Sequence, residues 1–339
     1  MKILFFSHSF YPKIGGIETV SMQLAINFQE RQDVTIIVVS RTKELGSLLL
    51  PFKVVRDPST KTIASLLVWC DVVFENNPCF GMSWLNFMIR KPKVVALHTW
   101  ILTPDSRVTL QQKLKRILLY DYNAVIACSN RVRLTNFEKA LVIENSYDSS
   151  LYKEIKGNKT KDFVFLGRLV SDKGADMCID LLYELKKQHG KNYSLTIIGD
   201  GIEMKNLKKL TLDYNIRNQV RFLGFLTGEA IVSELNAHYF LLVPSRWEEP
   251  FGIVALEGIA CGCIPIVSDG GGLPDAVGKA GVLFKRNSLP SLVQTTIQLL
   301  NNQVQQRNLL QAAATHLKRH SETQVTQKYF NVILKASKL

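Results

Sequence analysis

Several signatures are missing from this chain, and each absence closes off a class of chemistry. There is no D-x-D and no H-E-x-x-H. An acidic pair holding a divalent ion beside a diphosphate, or a zinc helix, is therefore not expected. No G-x-G-x-x-G, no P-loop and no G-x-S-x-G occurs either. That removes the dinucleotide fingerprint, the Walker nucleotide site and the hydrolase nucleophile elbow. None of the six cysteines forms a C-x-x-C, and most lie in or beside apolar runs. They read as buried, reduced thiols of a cytoplasmic protein. No stretch reaches the ~18 apolar residues of a membrane span. The opening Met1-Lys-Ile-Leu-Phe-Phe is too short for a signal peptide before it meets Pro12. No block of five or six like charges occurs.

What is present is an ordinary globular composition in 339 residues, 46% hydrophobic and 21% charged, enough for two domains. The formal charge of +13 is spread along the chain. It suits anionic ligands or an anionic surface. Nothing beyond charge points to nucleic acid, which is not expected as a partner.

Short apolar runs alternate with helical patterns. Ile3–Ser7, Val34–Ser40, Asp71–Phe74, Lys93–Leu97, Ala124–Ala127 and Leu141–Ile143 read as buried strands, with a helix over Ile17–Gln29. Asp148–Lys161 is polar and without period, and reads as a linker, 149–161. A second series follows, with strands at Phe163–Leu166, Leu195–Ile198, Val220–Leu223, Tyr239–Val243 and Ile264–Val267. Helices over Leu289–His320 and Thr323–Lys335 close the chain. The reading is α/β: two doubly wound, Rossmann-like domains, 1–148 and 162–320, facing across a cleft, with the last helix packed back on the first. In such sheets ligands sit at the carboxyl ends of strands.

The informative residues do follow strands. After Tyr239–Val243 come Pro244, a polar turn, Glu249, Pro250 and a predicted helix over Phe251–Ala260. Pro250 suits a first helical position. Glu249 lies outside that helix and Glu257 two turns inside it, so both can face a ligand at its N-terminus. Free N–H groups there favour an anion, and carboxylates accept from hydroxyls. A phosphate ester of a sugar offers both. After Phe163–Leu166, Gly167-Arg168 and Lys173-Gly174 supply a planar fork and a point charge for phosphate oxygens. Gly15 and Gly16 precede the first helix, where a tight turn is the alternative. His98 ends the Lys93–Leu97 strand, either as a packing residue or as an acid/base. Gly199-Asp200-Gly201 reads as a turn with N-cap character, and Phe225-Leu226 offers an apolar face to a planar base.

Together these residues resemble a retaining GT-B glycosyltransferase of family 4, the glycosyl transferases group 1. The strongest element is the E-x7-E of Glu249 to Glu257, then Arg168 to Lys173, then Gly15-Gly16 with Glu18, and His98. The resemblance implies that Arg168 and Lys173 hold a nucleoside diphosphate and that Gly15 and Gly16 join them when the cleft closes. It implies that Glu257 binds the ribose, and that Glu249 with the backbone at Phe251, Gly252 and Ile253 holds the donor sugar. His98 would approach that sugar, and Phe225 and Leu226 would meet the base. No cofactor and no metal are expected. The family retains configuration by a front-face route in which a donor phosphate oxygen takes the acceptor proton. Ser146 stands where the family has a glycine, and Asp275 where a glutamate is common. With no carboxylate between Phe225 and Gly228 to pair with guanine, a UDP-sugar is favoured over GDP, with UDP-glucose the first guess.

A nucleotide-sugar epimerase and a non-catalytic nucleotide-sugar-binding module remain alternatives. The acceptor, a glycan or a lipid-linked hydroxyl, would fall to the first domain. There Trp84–Lys93 and Lys113–Arg116 mix apolar and basic residues. Docking on the inner face of an anionic membrane accounts for both stretches, and so does an ordinary amphipathic helix.

Overall fold

The computed structural model describes residues 1–13, 15–44, 48–102, 108–155, 157 and 159–338, the side chain of His189 excepted. It divides into two compact units, Met1–Ser146 with Glu322–Leu339, and Tyr147–Ser321.

In the first unit the order is β1 (Lys2–Ser7), α1 (Gly16–Gln29), β2 (Thr35–Ser40), β3 (Lys53–Arg56), α2 (Thr60–Trp69), β4 (Val72–Asn76), α3 (Phe80–Ser83), α4 (Asn86–Ile89), β5 (Lys93–Leu97), α5 (Leu110–Leu118), β6 (Ala124–Ala127), α6 (Asn130–Asn136) and β7 (Leu141–Val142). The seven strands are parallel in the order β3-β2-β1-β4-β5-β6-β7. β1, β4 and β5 are nearly or wholly buried runs, as strands covered on both faces must be.

The second unit runs β8 (Lys161–Leu166), α7 (Ala175–His189), β9 (Leu195–Ile198), α8 (Met204–Asp213), β10 (Val220–Gly224), α9 (Glu229–Ala237), β11 (His238–Val243), α10 (Ile253–Ala260), β12 (Ile264–Ser268), α11 (Leu273–Val277), β13 (Val282–Phe284), α12 (Leu289–Leu300) and α13 (Gln303–Arg319). Its parallel sheet has the order β10-β9-β8-β11-β12-β13. Its core is built from Phe163, Phe165, Leu182, Leu195, Ile197 and Leu242 among others. The last helix, α14 (Glu322–Ala336), belongs to the first unit. There Tyr329 meets Phe74 edge-on at 6.0 Å and Phe330 meets Phe28 at 6.3 Å.

Three local expectations are corrected. The helix expected from Phe251 begins at Ile253, because Gly252 has φ 104°, a left-handed conformation that no helical residue adopts. Pro250 is therefore outside it, and Glu257 is its fifth residue, about one turn in rather than two. The tail read as one helix over Leu289–His320 breaks at Asn301–Asn302, where Asn302 caps α13 by accepting from the Gln305 N–H at 2.9 Å. The helix after Gly199-Asp200-Gly201 starts at Met204 with Glu203 before it, so Asp200 is not its cap and instead accepts from Gly201 N at 2.7 Å.

The described residues of 149–161 lie within the second unit; Lys156 and Asn158 are outside the described residues. Tyr152 is buried. Ile155 N donates to Asn236 Oδ1 at 2.7 Å. Lys159 Nζ donates to the carbonyls of Asn236 and Cys261 at 3.1 and 3.0 Å, a cation placed on the exit of α10 where the dipole welcomes it. The lysines that suggest a solvated linker are in part its anchors.

Candidate functional site

β8 and β11 are neighbours where the strand order of the second sheet reverses, the switch point at which doubly wound sheets bind ligands. The segments that leave them, Gly167–Gly174 and Pro244–Gly252, meet there although far apart in sequence. Their fit depends on Gly174, which has φ 72°; a Cβ on it would stand 2.2 Å from the Pro244 carbonyl oxygen. Only glycine permits that approach.

Arg246 ties the two segments together. Its guanidinium forks onto Asp176, both distances 2.7 Å, and Nη1 also donates to the Ser171 carbonyl at 3.0 Å. The backbone N–H groups of Arg246 and Trp247 both donate to the Asp172 carbonyl, at 2.8 and 3.1 Å. Arg286 adds the turn after β12. It donates to the Arg246 carbonyl at 2.9 Å and to Glu248 Oε1 at 3.2 Å, while its N–H donates to Asp269 Oδ1 at 2.8 Å. Gly272 N then donates to the Glu249 carbonyl at 2.7 Å. Such bidentate, charge-assisted bonds hold geometry better than single neutral ones.

Within this frame Lys173, in the 3₁₀ turn Ser171–Lys173, makes an ion pair with Glu249. The Ser245 hydroxyl donates to the same Glu249 oxygen, Oε1, at 2.8 Å, and Ser268 Oγ donates to the Ser245 carbonyl at 2.9 Å. Arg168 is exposed and makes no ion pair among the described residues. An exposed guanidinium thus stands in the same segment as a lysine already pinned to a carboxylate.

Glu257 sits one turn into α10, and burial pushes its carboxyl up to about 7. A hydrogen bond with Tyr152 works against that shift, and the charge of Asp148 adds to it. Phe251 is buried with its ring 5.8 Å from His320. Its side chain belongs to the core, leaving only backbone to a ligand. Gly252 and Ile253 open α10, whose first N–H groups lack helical partners. Phe225 and Leu226 follow β10 at the sheet edge, two strands from β8, and Phe225 is exposed. A separate cavity of about 250 Å³ lies beside Val170, Ser171, Asp176 and Glu203 and touches none of the expected ligand residues.

In the first unit, Gly15 precedes α1 and Gly16 is its first residue. His98 follows β5. Its N–H donates to Asn77 Oδ1 at 2.7 Å, and its ring stacks on Tyr329 at 6.5 Å with 14° between planes. Burial pulls the imidazole down to about 4, against a hydrogen bond with Asn145. It is neutral at pH 7. Among the described residues no group of three or more His, Cys, Asp and Glu side chains is placed to hold a metal ion.

Ser245, Arg246, Glu248, Ser268, Arg286 and Tyr152 were not singled out from sequence. Arg246 and Glu248 lie inside the stretch that was, but their partners lie elsewhere in the chain, in the Ser171–Lys173 turn, in α7 and after β13.

With this geometry in hand, the chain can be set beside known proteins. Its fold is that of Anabaena HepE in complex with UDP, with a TM-score of 0.84 at 21% identity, covering 99% of this chain and 100% of that one. HepE with UDP and glucose gives 0.81 at 22%. The protein is therefore a GT-B fold of two Rossmann-like units. Residues 149–316 match the family described as glycosyl transferases group 1. It is 25% identical over 269 residues to the 2-deoxystreptamine N-acetyl-D-glucosaminyltransferase of Niallia circulans, covering 78% of this chain and 65% of that protein. An uncharacterized glycosyltransferase of Methanocaldococcus jannaschii is 31% identical over 174 residues, 50% of this chain and 46% of that one. The chain thus spans less than two thirds of the length of either relative.

Proposed function

We propose that this protein transfers a sugar from a nucleoside diphosphate sugar to a hydroxyl of a glycan or a lipid-linked acceptor. The donor is a UDP-sugar, with UDP-glucose first, and configuration is retained without a metal ion. The setting is surface polysaccharide or glycolipid synthesis, at the cytoplasmic face of a membrane. One observation carries the reading: Arg168, Lys173 and Glu249 gather at the switch point of the second sheet, with Glu257 one turn into the helix that starts there. Two cations, a helix start and two carboxylates match a diphosphate joined to a ribose and a sugar. The names of the relatives and the UDP, glucose and UDP-glucose held by HepE crystals support it.

In this reading Arg168 and Lys173 take up the charge that grows on the diphosphate as the anomeric carbon–oxygen bond breaks. Electrostatic stabilisation of that kind is the largest demand in such a step. Glu257 accepts from the ribose hydroxyls. Glu249 holds the donor sugar through the oxygen that Lys173 and Ser245 leave open. A carboxylate already bound to an ammonium and a hydroxyl is a weakened nucleophile, which favours the front-face route. There the acceptor oxygen bonds to the anomeric carbon on the face the diphosphate leaves, and the acceptor proton passes to a departing phosphate oxygen. The first unit contributes Gly15, Gly16 and His98, the last as a neutral imidazole. Phe225 and Leu226 flank the base.

The test is a donor screen. UDP-, GDP- and ADP-sugars are compared by thermal shift, since selective binding raises stability by mass action. Nucleotide release is then followed with acceptor pools in EDTA. UDP release that survives chelation is the expected result. No release with any donor and acceptor, or complete loss in EDTA restored by Mn²⁺, contradicts the reading.

A further inference from the structure

Charge is unevenly divided between the units. The first carries 21 lysines and arginines against 12 aspartates and glutamates, +9 of the chain's +13. Between Arg90 and Lys139 ten cations meet three acidic residues.

Within that span α5 has no buried residue among its nine. Leu110, Leu114 and Ile117 recur at spacings of four and three, so they share one face, and they are 83%, 57% and 62% exposed. Lys113, Lys115 and Arg116 border that stripe. A capping box at Thr109 and Gln112 holds the helix in place without burial.

The C-terminal end of α5 runs into the turn Leu119–Asp121. Asp121 and Asn123 line a cavity of about 440 Å³ together with Phe87, Arg90, Lys91 and Lys93. Of these, Lys93 is buried. It pairs with Asp121 and stands 3.8 Å over the ring of Phe87 and 5.0 Å over that of Tyr122. Arg90, with φ 59° after α4, makes no ion pair among the described residues. Three cations thus face one carboxylate. Next to Phe87, Met88 is 74% exposed. Along the chain, α5 leads through residues 119–121 to the cavity lining at Asp121.

We propose that this side of the first unit docks on an anionic phospholipid bilayer, with α5 lying in the interface and the Arg90–Lys91–Lys93 cavity taking a headgroup phosphate. The inference rests on the membrane setting suggested above and adds where contact is made. A single apolar stripe bordered by cations is what an interfacial helix needs. A cationic cavity beside it suits a phosphate on an anionic surface. A second copy of the chain would bring the same positive charge. Nucleic acid would find no stacking surface in Leu110, Leu114 and Ile117.

The test uses the full chain and two kinds of sedimenting vesicle, phosphatidylglycerol mixed with phosphatidylcholine, and phosphatidylcholine alone. The wild type is expected to sediment with the first, weakly with the second, and less as salt rises. Leu114→Glu with Ile117→Glu, and separately Arg90→Glu with Lys91→Glu, should each lower the bound fraction constant by about tenfold or more. Both pairs should keep UDP binding and melting temperature, because the residues are exposed or at a cavity rim and lie in the other unit from the nucleotide residues. Equal binding to both vesicles, or no binding to the anionic ones, overturns the docking. Loss in the α5 variant with none in the Arg90–Lys91 variant overturns the headgroup site. Sedimentation without UDP release from any donor leaves the docking standing and sinks the transferase; UDP release without sedimentation does the reverse.

Discussion

Lys173 and Glu249, the cation and the carboxylate assigned to different parts of the donor, are bound to each other in the free site. Glu249 keeps a second donor in the Ser245 hydroxyl, so removing Lys173 does not leave the carboxylate bare. Lys173→Ala should therefore fold and keep its melting temperature within a few degrees. It should lose about 100-fold or more in kcat/KM, the scale for removing one fixed donor from a developing anion. A folded variant with near-normal turnover would refute the diphosphate role. Glu249→Gln, which keeps the Ser245 contact, should cost turnover more than UDP affinity.

Glu257 gives opposite pH slopes for folding and for binding. Its folded carboxyl sits at about 7 against an ordinary 4.5. Its contribution to stability is then fully present below about pH 4.5 and is lost as pH rises through about 7. Ribose hydroxyls donate best to the ionised form, so UDP affinity should rise over the same window. Between pH 6 and pH 8 the ionised fraction grows about tenfold, and calorimetry should show a gain of that order. Glu257→Gln should flatten both curves. A wild-type affinity that does not change relative to the Gln variant rules out the ribose role for this carboxylate.

His98 titrates in the other direction. Its folded value of about 4 lies below the ordinary 6.5. The stability it contributes is present above pH 6.5 and is lost as pH falls through about 4. The ring resonances of His98 should therefore show a neutral imidazole down to about pH 5. A midpoint near 6.5 by NMR would mean that the ring is solvated and not held against Tyr329.

Gly174→Ala places a methyl 2.2 Å from the Pro244 carbonyl at a φ of 72°. Strain and clash together should cost roughly 2 kcal/mol or more in urea unfolding and weaken UDP, because the Lys173 turn must move away from β11. Gly81→Ala, where nothing lies within 4 Å of the added Cβ, is the matching control and should be nearly neutral. Equal stability of the two variants would show that the β8 and β11 segments are not clasped as described.

The parts of this molecule written locally could be read without coordinates. β1 and β5 are almost continuous apolar runs, and a parallel sheet buries both their faces. Arg168, Lys173 and Glu249 could be found because each follows such a run. Their direct pairing could not, since it depends on β8 and β11 being neighbours. Arg246 looks like one more basic residue until Asp176 and Asp172 are placed beside it by α7 and its preceding turn. The start of α10 was misjudged because Pro250 fits a first helical turn so well, while the φ of Gly252 is set by the surrounding loops. The edge strands β3 and β13 are too short to show a pattern, at four and three residues. Polar Lys159 looked like solvated linker because the carbonyls it binds, those of Asn236 and Cys261, lie far along the chain.

The return of α14 to the first unit sets an order on biosynthesis. Phe28, Phe74 and His98 are made early, yet their partners Tyr329 and Phe330 are made more than two hundred residues later. The ribosome therefore delivers every segment of the second unit before it delivers the helix that completes the first. Domains emerging during synthesis fold as units when their parts are present. The N-terminal unit must wait with an open apolar face until the other has been built, and the unit that starts first is finished last.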